Sequence, residues 1–299
     1  MHASVVTNRE FLPRYYLMRL HVPRFPPAFS PGQFVMVRPA AVGDPFLPRA
    51  FSIQRAGPAP NGAGARGGAG ARRRRGAGAQ IEIVYRALGK GTTLMAALGR
   101  ASAMEVLGPL GKGFRPGPGP AILVGGGVGI PPLVALAESL AAARHRRLTP
   151  KPKRDSRPAT RDSGPLVLVG GRTKQDVLGV ADFRRAGCRV QAATDDGSLG
   201  HRGLVTDLLE TALGKTGNGY GNEGRRPTVY ACGPEGMLKA VHHIALAADM
   251  PCQLSLEANM ACGFGGCMGC AIPVRGEGMG AYKLCCKDGP VFDARELRW

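Results

Sequence analysis

From Ala121 onward the chain alternates short, unbroken apolar runs with stretches whose apolar residues recur at helical spacing. AILVGG from Ala121, LVLVGG from Leu166, residues 189–193 and TVYACG from Thr228 read as strands. Residues 132–143, 175–186, 204–213 and 235–248 read as the helices that follow them. Apolar runs without polar alternation fit strands covered on both faces. Strands alternating with helices predict a parallel, doubly wound sheet. The first third has another texture. Tyr15–Val22 and residues 33–38, 50–54 and 81–85 are short β-prone runs divided by glycine and proline, the pattern of a small antiparallel barrel. RPGPGP at 115–120 reads as a hinge between the two textures. Beyond residue 250 the chain turns cysteine-rich and loop-like, with too little apolar content to fold well without a metal. The expected architecture is α+β multidomain: an antiparallel β-barrel over 1–116, a doubly wound α/β domain over 117–250 and a small cysteine-rich domain over 251–299. The lone Trp299 is expected to lie unpacked at the terminus.

Charge changes this picture less than its size suggests. A net +19 over 299 residues invites a nucleic-acid reading, so its distribution decides. Residues 57–79 carry five arginines and no acid, and residues 144–164 carry eight Lys/Arg against Asp155 and Asp162. Residues 214–227 add Lys215, Arg225 and Arg226 against Glu223. Most of the excess therefore sits in three segments rich in glycine, proline and arginine, which cannot bury a core and are expected as solvated insertions. Nucleic acid is not the expected partner. The first twenty residues lack the apolar core of a secretion signal. The apolar window at 120–143 contains GGGVGIPP and Glu138, so it reads as strand, turn and helix rather than a membrane span. A reducing, cytoplasmic setting is expected, and it suits free thiols.

The chemistry gathers in the tail. Cys262, Cys267 and Cys270 are spaced C-x4-C-x2-C, with a fourth thiol at Cys285 or Cys286. That is the plant-type ferredoxin run, in which thiolates hold a 2Fe–2S cluster. The glycines of CGFGGCMGC allow the tight turns and inward-aimed amides such a loop needs. Zinc is the competing metal, although its pairs usually read C-x2-4-C twice.

Nucleotide signals lie upstream. GGGVGIPP follows a predicted strand and opens a predicted helix, so Gly127 and Gly129 form a G-x-G-x-x-P turn. Such a turn lets amides approach a pyrophosphate, or is simply a tight strand-to-helix connection. Cys232 and Gly233 of ACGP end another strand, at the edge where doubly wound sheets bind ligands. Cys232 either packs against a nicotinamide ring or is a buried structural thiol. Asp195 of TDDGSLGHRG either bonds a ribose hydroxyl or starts a turn, and Arg172 is a candidate for a 2′-phosphate. In the barrel, Arg49 and Ser52 of RAFS can grip a phosphate. Gly91 and Thr92 of GKGT precede a helical run and offer backbone amides to an anion.

The order R-x-x-S, then G-x-G-x-x-P, then CGP resembles the ferredoxin–NADP reductase superfamily. With PGQFVMV, GPLGKGF, SLEANMACGFGGCMGC and CKDGPVF added, the chain is similar to the electron-transfer subunits of class 1B dihydroorotate dehydrogenase, outside the three insertions. The resemblance implies FAD on Arg49, Ala50, Phe51, Ser52, Val84, Tyr85, Arg86, Gly91 and Thr92. It implies NAD against Gly127, Gly129, Asp195, Cys232 and Gly233, and a 2Fe–2S cluster on Cys262, Cys267, Cys270 and Cys286. Ala50 stands where proline is common, and Cys285 where an apolar residue is usual. A separate FMN-containing TIM-barrel subunit would oxidise dihydroorotate, in a heterotetramer of two of each chain, so no catalytic acid–base residue is expected here. Two other readings stay open. One is a subunit of a sulfhydrogenase or ferredoxin:NADP oxidoreductase complex. The other is a zinc-bearing nucleic-acid-binding module using the arginine-rich loops.

Overall fold

The computed structural model describes residues 1–26, 28–40, 43–44, 46–58, 78–148, 164–214, 226–276 and 281–299. Residues 59–77, 149–163 and 215–225, the bulk of the three insertions expected as solvated loops, lie outside the described residues.

Seven strands build the first sheet: β1 (His2–Leu12), β2 (Tyr15–Val22), β3 (Phe34–Pro39), β4 (Arg49–Ser52), β5 (Arg55–Pro58), β6 (Ala79–Arg86) and β7 (Ala103–Leu110). Their order is β4-β3-β7-β1-β2-β6-β5, with every pairing antiparallel. One run of chain serves both ends of the sheet. β4 pairs with β3, β5 pairs with β6, and between them the Gln54 N–H donates to the Glu82 carbonyl. Met18, Leu20, Val35, Val37, Ile81 and Ile83 fill the interior from alternating strand positions. The sequence did not announce β1 or β7. The buried apolar side chains of β1 are only Ala3 and Val5, and the strand is held by its ladder to β2, from Ser4↔His21 to Leu12↔Tyr15. β7 contains Gly108 and Pro109, residues that ordinarily argue against a strand.

α1 (Lys90–Ala96) follows β6, and Asn8 secures its far end. The Asn8 Nδ2 donates to the carbonyls of Met95 at 2.8 Å and Leu98 at 3.0 Å. Its Oδ1 accepts from the Tyr85 hydroxyl at 3.0 Å.

The second sheet comprises β8 (Ala121–Gly126), β9 (Leu166–Gly171), β10 (Arg189–Thr194), β11 (His201–Arg202), β12 (Thr228–Cys232) and β13 (Cys252–Ser255). After β13 come the β14 (Ala271–Pro273)–β15 (Tyr282–Leu284) hairpin and β16 (Val291–Asp293). The sheet order is β11-β10-β9-β8-β12-β13-β16, parallel except for the last pair. Helices α2 (Ile130–Leu148), α3 (Val180–Arg185), α4 (Val205–Gly214) and α5 (Glu235–Ala247) cover its two faces, and α6 (Cys285–Asp288) lies in the tail. Successive strand residues point to opposite faces. Leu123, Val167, Val169 and Tyr230 therefore pack with Leu133, Val134 and Phe183 of α2 and α3. Ile122, Val124, Leu168 and Val229 pack with Leu209, Leu238 and Val241 of α4 and α5. Two cores on one sheet account for strands without polar alternation.

Several expectations are corrected. The helix expected over 132–143 begins at Ile130 and runs to Leu148, with Pro131 and Pro132 in its first turn, where a missing N–H costs nothing. The helix expected over 175–186 is a single turn, Lys174–Asp176, and then α3, separated by Gly179 at φ 73°. RPGPGP is pinned: the Arg115 N–H donates to Gln253 Oε1 at 2.9 Å, and the Gly117 N–H to the Tyr230 hydroxyl at 2.6 Å. The tail is not loop-like, because β13 and β16 extend the sheet. Trp299 packs on α5, its ring edge-on to His242 with 6.1 Å between centroids and the Lys239 ammonium 5.5 Å from its centroid. Among the described residues, no helix is long and apolar enough to cross a membrane.

Asn8→Ala leaves the α1 carbonyls and the Tyr85 hydroxyl without their partner. It should cost about 2 kcal/mol, read as a lower urea midpoint at unchanged slope.

Candidate functional site

In the second sheet β8 is flanked by β9 on one side and β12 on the other, so successive connections leave in opposite directions at its C-terminal edge. Ligand crevices of open parallel sheets form at such a point. Here the turn Gly127–Gly129 meets the end of β12. Gly125 is in register with Cys232, and a Cβ on Gly129 would fall 2.4 Å from the Cys232 carbonyl. Only hydrogen fits at that contact. A cavity of about 760 Å³ opens between this edge, the barrel and the tail, within the size range of ligand sites.

The barrel supplies one wall. Arg49, Ala50, Phe51 and Ser52 of β4, Val84, Tyr85 and Arg86 of β6, and Gly91 and Thr92 of α1 all line the cavity. Nine residues singled out in the sequence are thus brought together from three elements. Their roles differ. The Thr92 hydroxyl accepts from the Leu88 and Gly89 amides at 2.9 and 3.1 Å and donates to the Gly89 carbonyl, so it shapes the loop. The Tyr85 ring stacks on Tyr16 at 5.4 Å while its hydroxyl is engaged by Asn8. The Arg86 Nε is buried without a hydrogen-bond partner, and its guanidinium lies 5.2 Å from the centroid of Tyr15. An orphaned cationic donor in a cavity wall fits a polar or anionic occupant, because leaving it unpaired is costly.

The sheet supplies the opposite wall through Gly127, Val128, Cys232 and Pro234. Gly129 and Gly233 do not line the cavity; they allow the two turns to pack together. Asp195 lies apart, exposed at the end of β10, two strands away from β8. Burial pushes the Cys232 thiol up to about 12, helped by the nearby Glu257, so it faces the cavity neutral.

A third wall was quoted in the sequence only as the head of SLEANMACGFGGCMGC, without a binding role: Ser255, Leu256, Glu257, Ala258, Asn259 and Met260. β13 runs parallel to β12, so its C-terminal end must emerge at the same edge. That parallelism was the available signal, hidden because β13 is only four residues long. Glu257 is open to the cavity but enclosed by protein, and burial raises its pKa above the ordinary carboxylate value. Tyr15, also a lining residue, carried no motif, and Leu88 was given no role.

The cysteine loop begins two residues past Met260, a chain span of about 7 Å. Gly263 takes φ 80°, and a Cβ there would lie 2.5 Å from the side chain of Met36 in β3, so the loop seats on the barrel. The Gly266 N–H donates to Cys262 Sγ at 3.3 Å, and the Cys286 N–H to Cys270 Sγ at 3.4 Å. Burial opposes ionisation of Cys262, but amides of Phe264, Cys267 and Gly266 and the Cys267 thiol outweigh it and bring its pKa to about 6. Cys286 interacts with Cys270 and Cys262 and is pushed to about 12, chiefly by burial. Cys262 thus meets Cys267, Cys270 meets Cys286, and Cys286 also lies near Cys262. Among the described residues, no three Cys, His, Asp or Glu side chains converge as a single-ion site would require. Four thiols in the C-x4-C-x2-C spacing, with backbone N–H groups donating to two of their sulfurs, fit a thiolate-held 2Fe–2S cluster. Cys285 turns the other way, its Sγ 3.6 Å from the Leu256 carbonyl inside the core. Cys267, Phe264, Met268 and Tyr282 are exposed around the loop.

Comparison with known proteins agrees with this geometry. A family model described as "Iron-sulfur cluster binding domain of dihydroorotate dehydrogenase B" matches residues 257–298. The dihydroorotate dehydrogenase B (NAD(+)) electron transfer subunit of Caldanaerobacter subterraneus subsp. tengcongensis is 33% identical over 99% of this chain and 98% of its own length. That of Geobacillus thermodenitrificans is 35% identical over 98% and 96%. Among solved structures, an NADH-dependent reduced ferredoxin-NADP oxidoreductase superposes with a TM-score of 0.71 at 24% identity, over 99% of this chain and 89% of the other. The cytochrome b5 reductase domain of Ulva prolifera nitrate reductase superposes at 0.57 and 16% identity, over 83% and 93%.

Thiolate, not thiol, is the nucleophile. In the folded, metal-free chain Cys262, lowered to about 6, is mostly ionised at pH 7, whereas Cys285, raised to about 12 chiefly by burial, is not. Iodoacetamide should therefore label Cys262 with a rate that is half-maximal near pH 6 and falls below it, and should spare Cys285. Peptide mass mapping reads the result, and equal labelling of both would contradict the geometry.

Proposed function

The chain belongs to the family of dihydroorotate dehydrogenase B electron-transfer subunits, and on that footing we propose what each part of it does. It is the oxidoreductase half that passes electrons from a dihydroorotate-oxidising, FMN-containing catalytic subunit through a 2Fe–2S cluster and FAD to NAD+, in de novo pyrimidine (UMP) biosynthesis. When bound, FAD supplies the exchange between single electrons and the electron pairs that nicotinamide carries.

The residues divide the task. Arg49, Ser52 and Arg86, whose buried Nε lacks a hydrogen bond, hold the polar parts of FAD, while Ala50, Phe51, Val84 and Tyr85 wall it and Gly91 and Thr92 shape the loop beneath. Gly127 and Cys232 receive NAD from the other side, with Gly129 and Gly233 packed behind them. Asp195, at the far strand end, meets the ribose of the same nucleotide. Cys262, Cys267, Cys270 and Cys286 hold the cluster, and Cys285 serves the core. Residues 1–116, 117–250 and 251–299 act as the FAD, NAD and cluster units. The exposed rim of Phe264, Met268 and Tyr282 beside Cys267 receives the catalytic subunit, in an assembly of two of each chain. The eight free cysteines suit the cytoplasm. A single observation carries this reading. One unbroken segment, residues 255–260, walls the cavity and leads directly into the cysteine loop.

The test is anaerobic. The purified chain should carry flavin and iron–sulfur absorbance and should form NADH from dihydroorotate only when the FMN partner is added. NADH oxidation without coupling to dihydroorotate would instead indicate a ferredoxin- or hydrogenase-linked complex. Absence of both chromophores after reconstitution with FAD, iron and sulfide would sink the proposal. Cys286→Ser should remove the cluster absorbance and its iron, whereas Cys285→Ala should retain both.

A further inference from the structure

Arg55 lies just past the flavin-side wall residue Ser52, at the start of β5. Its guanidinium engages three carboxylates from three elements. Nη1 donates to Glu82 Oε1 of β6 at 2.6 Å. Nε and Nη2 both donate to Glu138 Oε1 of α2, at 2.9 and 2.6 Å. Nη2 also donates to Asp182 Oδ1 of α3 at 2.8 Å. Glu82 belongs to the barrel and is nearly buried, with 6% of its side chain exposed, whereas Glu138 and Asp182 belong to the nucleotide-side layer. One side chain thus fastens the two halves that face each other across the cavity.

The fastening is part of a closed frame. On the barrel side, Arg55 and the wall residues 49–52 share one stretch of backbone. On the other side, Glu138 sits on the helix that the Gly127–Gly129 turn opens, about 12 Å along it. Pulling Glu138 toward Arg55 therefore draws the nucleotide turn toward the flavin-side wall. Charges in the cluster balance: Arg19 donates to Glu82 at 2.8 Å and Arg185 to Asp182 at 3.0 Å, so three cations meet three anions. Without Arg55 the three carboxylates, two on one side and one on the other, face each other short of a cation. Their repulsion acts to open the cleft.

We infer that Arg55 is a positioning residue whose three-carboxylate latch sets the width of the cavity across which the NAD-side turn meets the flavin-side wall. Arg55 does not itself line the cavity. The inference rests on the reading of that cavity as the FAD–NAD site. Because the latch is partly solvent-exposed, it is stiff only through the geometry of a planar, forked cation that a lysine does not reproduce.

The experiment uses the full chain carrying FAD and its cluster, as wild type, Arg55→Met, Arg55→Lys and Glu138→Gln. Arg226→Gln, which breaks a surface pair with Asp249, is the charge-matched control. Two readouts are needed. The first is the rate of flavin bleaching at saturating NADH, measured after FAD content and the cluster spectrum are matched. The second is amide hydrogen exchange over residues 127–138 and 49–55. R55M should slow bleaching tenfold or more and raise exchange in both segments. R55K and E138Q should fall between R55M and wild type, and R226Q should match wild type. Wild-type bleaching in R55M, with or without faster exchange, overturns the positioning role, as does unchanged exchange in both R55M and E138Q. If NADH fails to bleach even the wild-type flavin, the reading of the cavity fails instead, and the exchange data still judge the latch: unchanged protection in R55M and E138Q overturns it, and loss of protection supports it.

Discussion

The arrangement depends on where the four residues Cys252–Ser255 pair. Placed parallel to β12, they end at the same sheet edge as Cys232. The next residues then have no course except along the cavity, and the cysteine loop follows at once. β16 returns antiparallel to the same strand, Ser255↔Val291, and carries α6 with Cys286 back under the loop. A short pair of strands therefore ties the cavity and the thiols into one rigid unit. Electron transfer over a fixed gap needs that rigidity more than it needs any acid or base.

Electrostatics divide the thiols by surroundings. Cys232 and Cys285 are enclosed by apolar neighbours and stay protonated, the usual consequence of burying a group that would ionise. Cys262 has backbone N–H groups aimed at its sulfur before any metal is considered. At Cys262 the loop already stabilises negative sulfur, whereas burial raises Cys286 as it raises Cys285. Adjacent cysteines 285 and 286 show how local such contacts are: both are buried, yet the Cys285 thiol donates to the Leu256 carbonyl while the Cys286 N–H donates to Cys270 Sγ.

Much of this was legible in the residues. AILVGG, LVLVGG and TVYACG read correctly as strands because both of their faces are buried, and the C-x4-C-x2-C run identified its own chemistry by spacing. The segments RAFS, Val84 to Arg86, and GKGT were each recognisable, and all of them reach one cavity. Less legible were β1, held by its ladder more than by apolar content, and β7, whose Gly108 and Pro109 argue against a strand. Gly179 divided one apparent helix into a turn and a short helix. Trp299 offered nothing in sequence to show that α5 would receive it.

The sequence by itself determined the strands buried on both faces, the cysteine spacing and the glycine turns, because these rest on local periodicity and on conformations that few residues can take. Only the tertiary structure decided the placement of 255–260 along the cavity, the different contacts of two neighbouring cysteines, the distance of Asp195 from the cavity and the junction of two layers through Arg55. Each of those depends on which distant strands lie side by side, and side-by-side placement is set by long-range pairing and burial that no local pattern encodes.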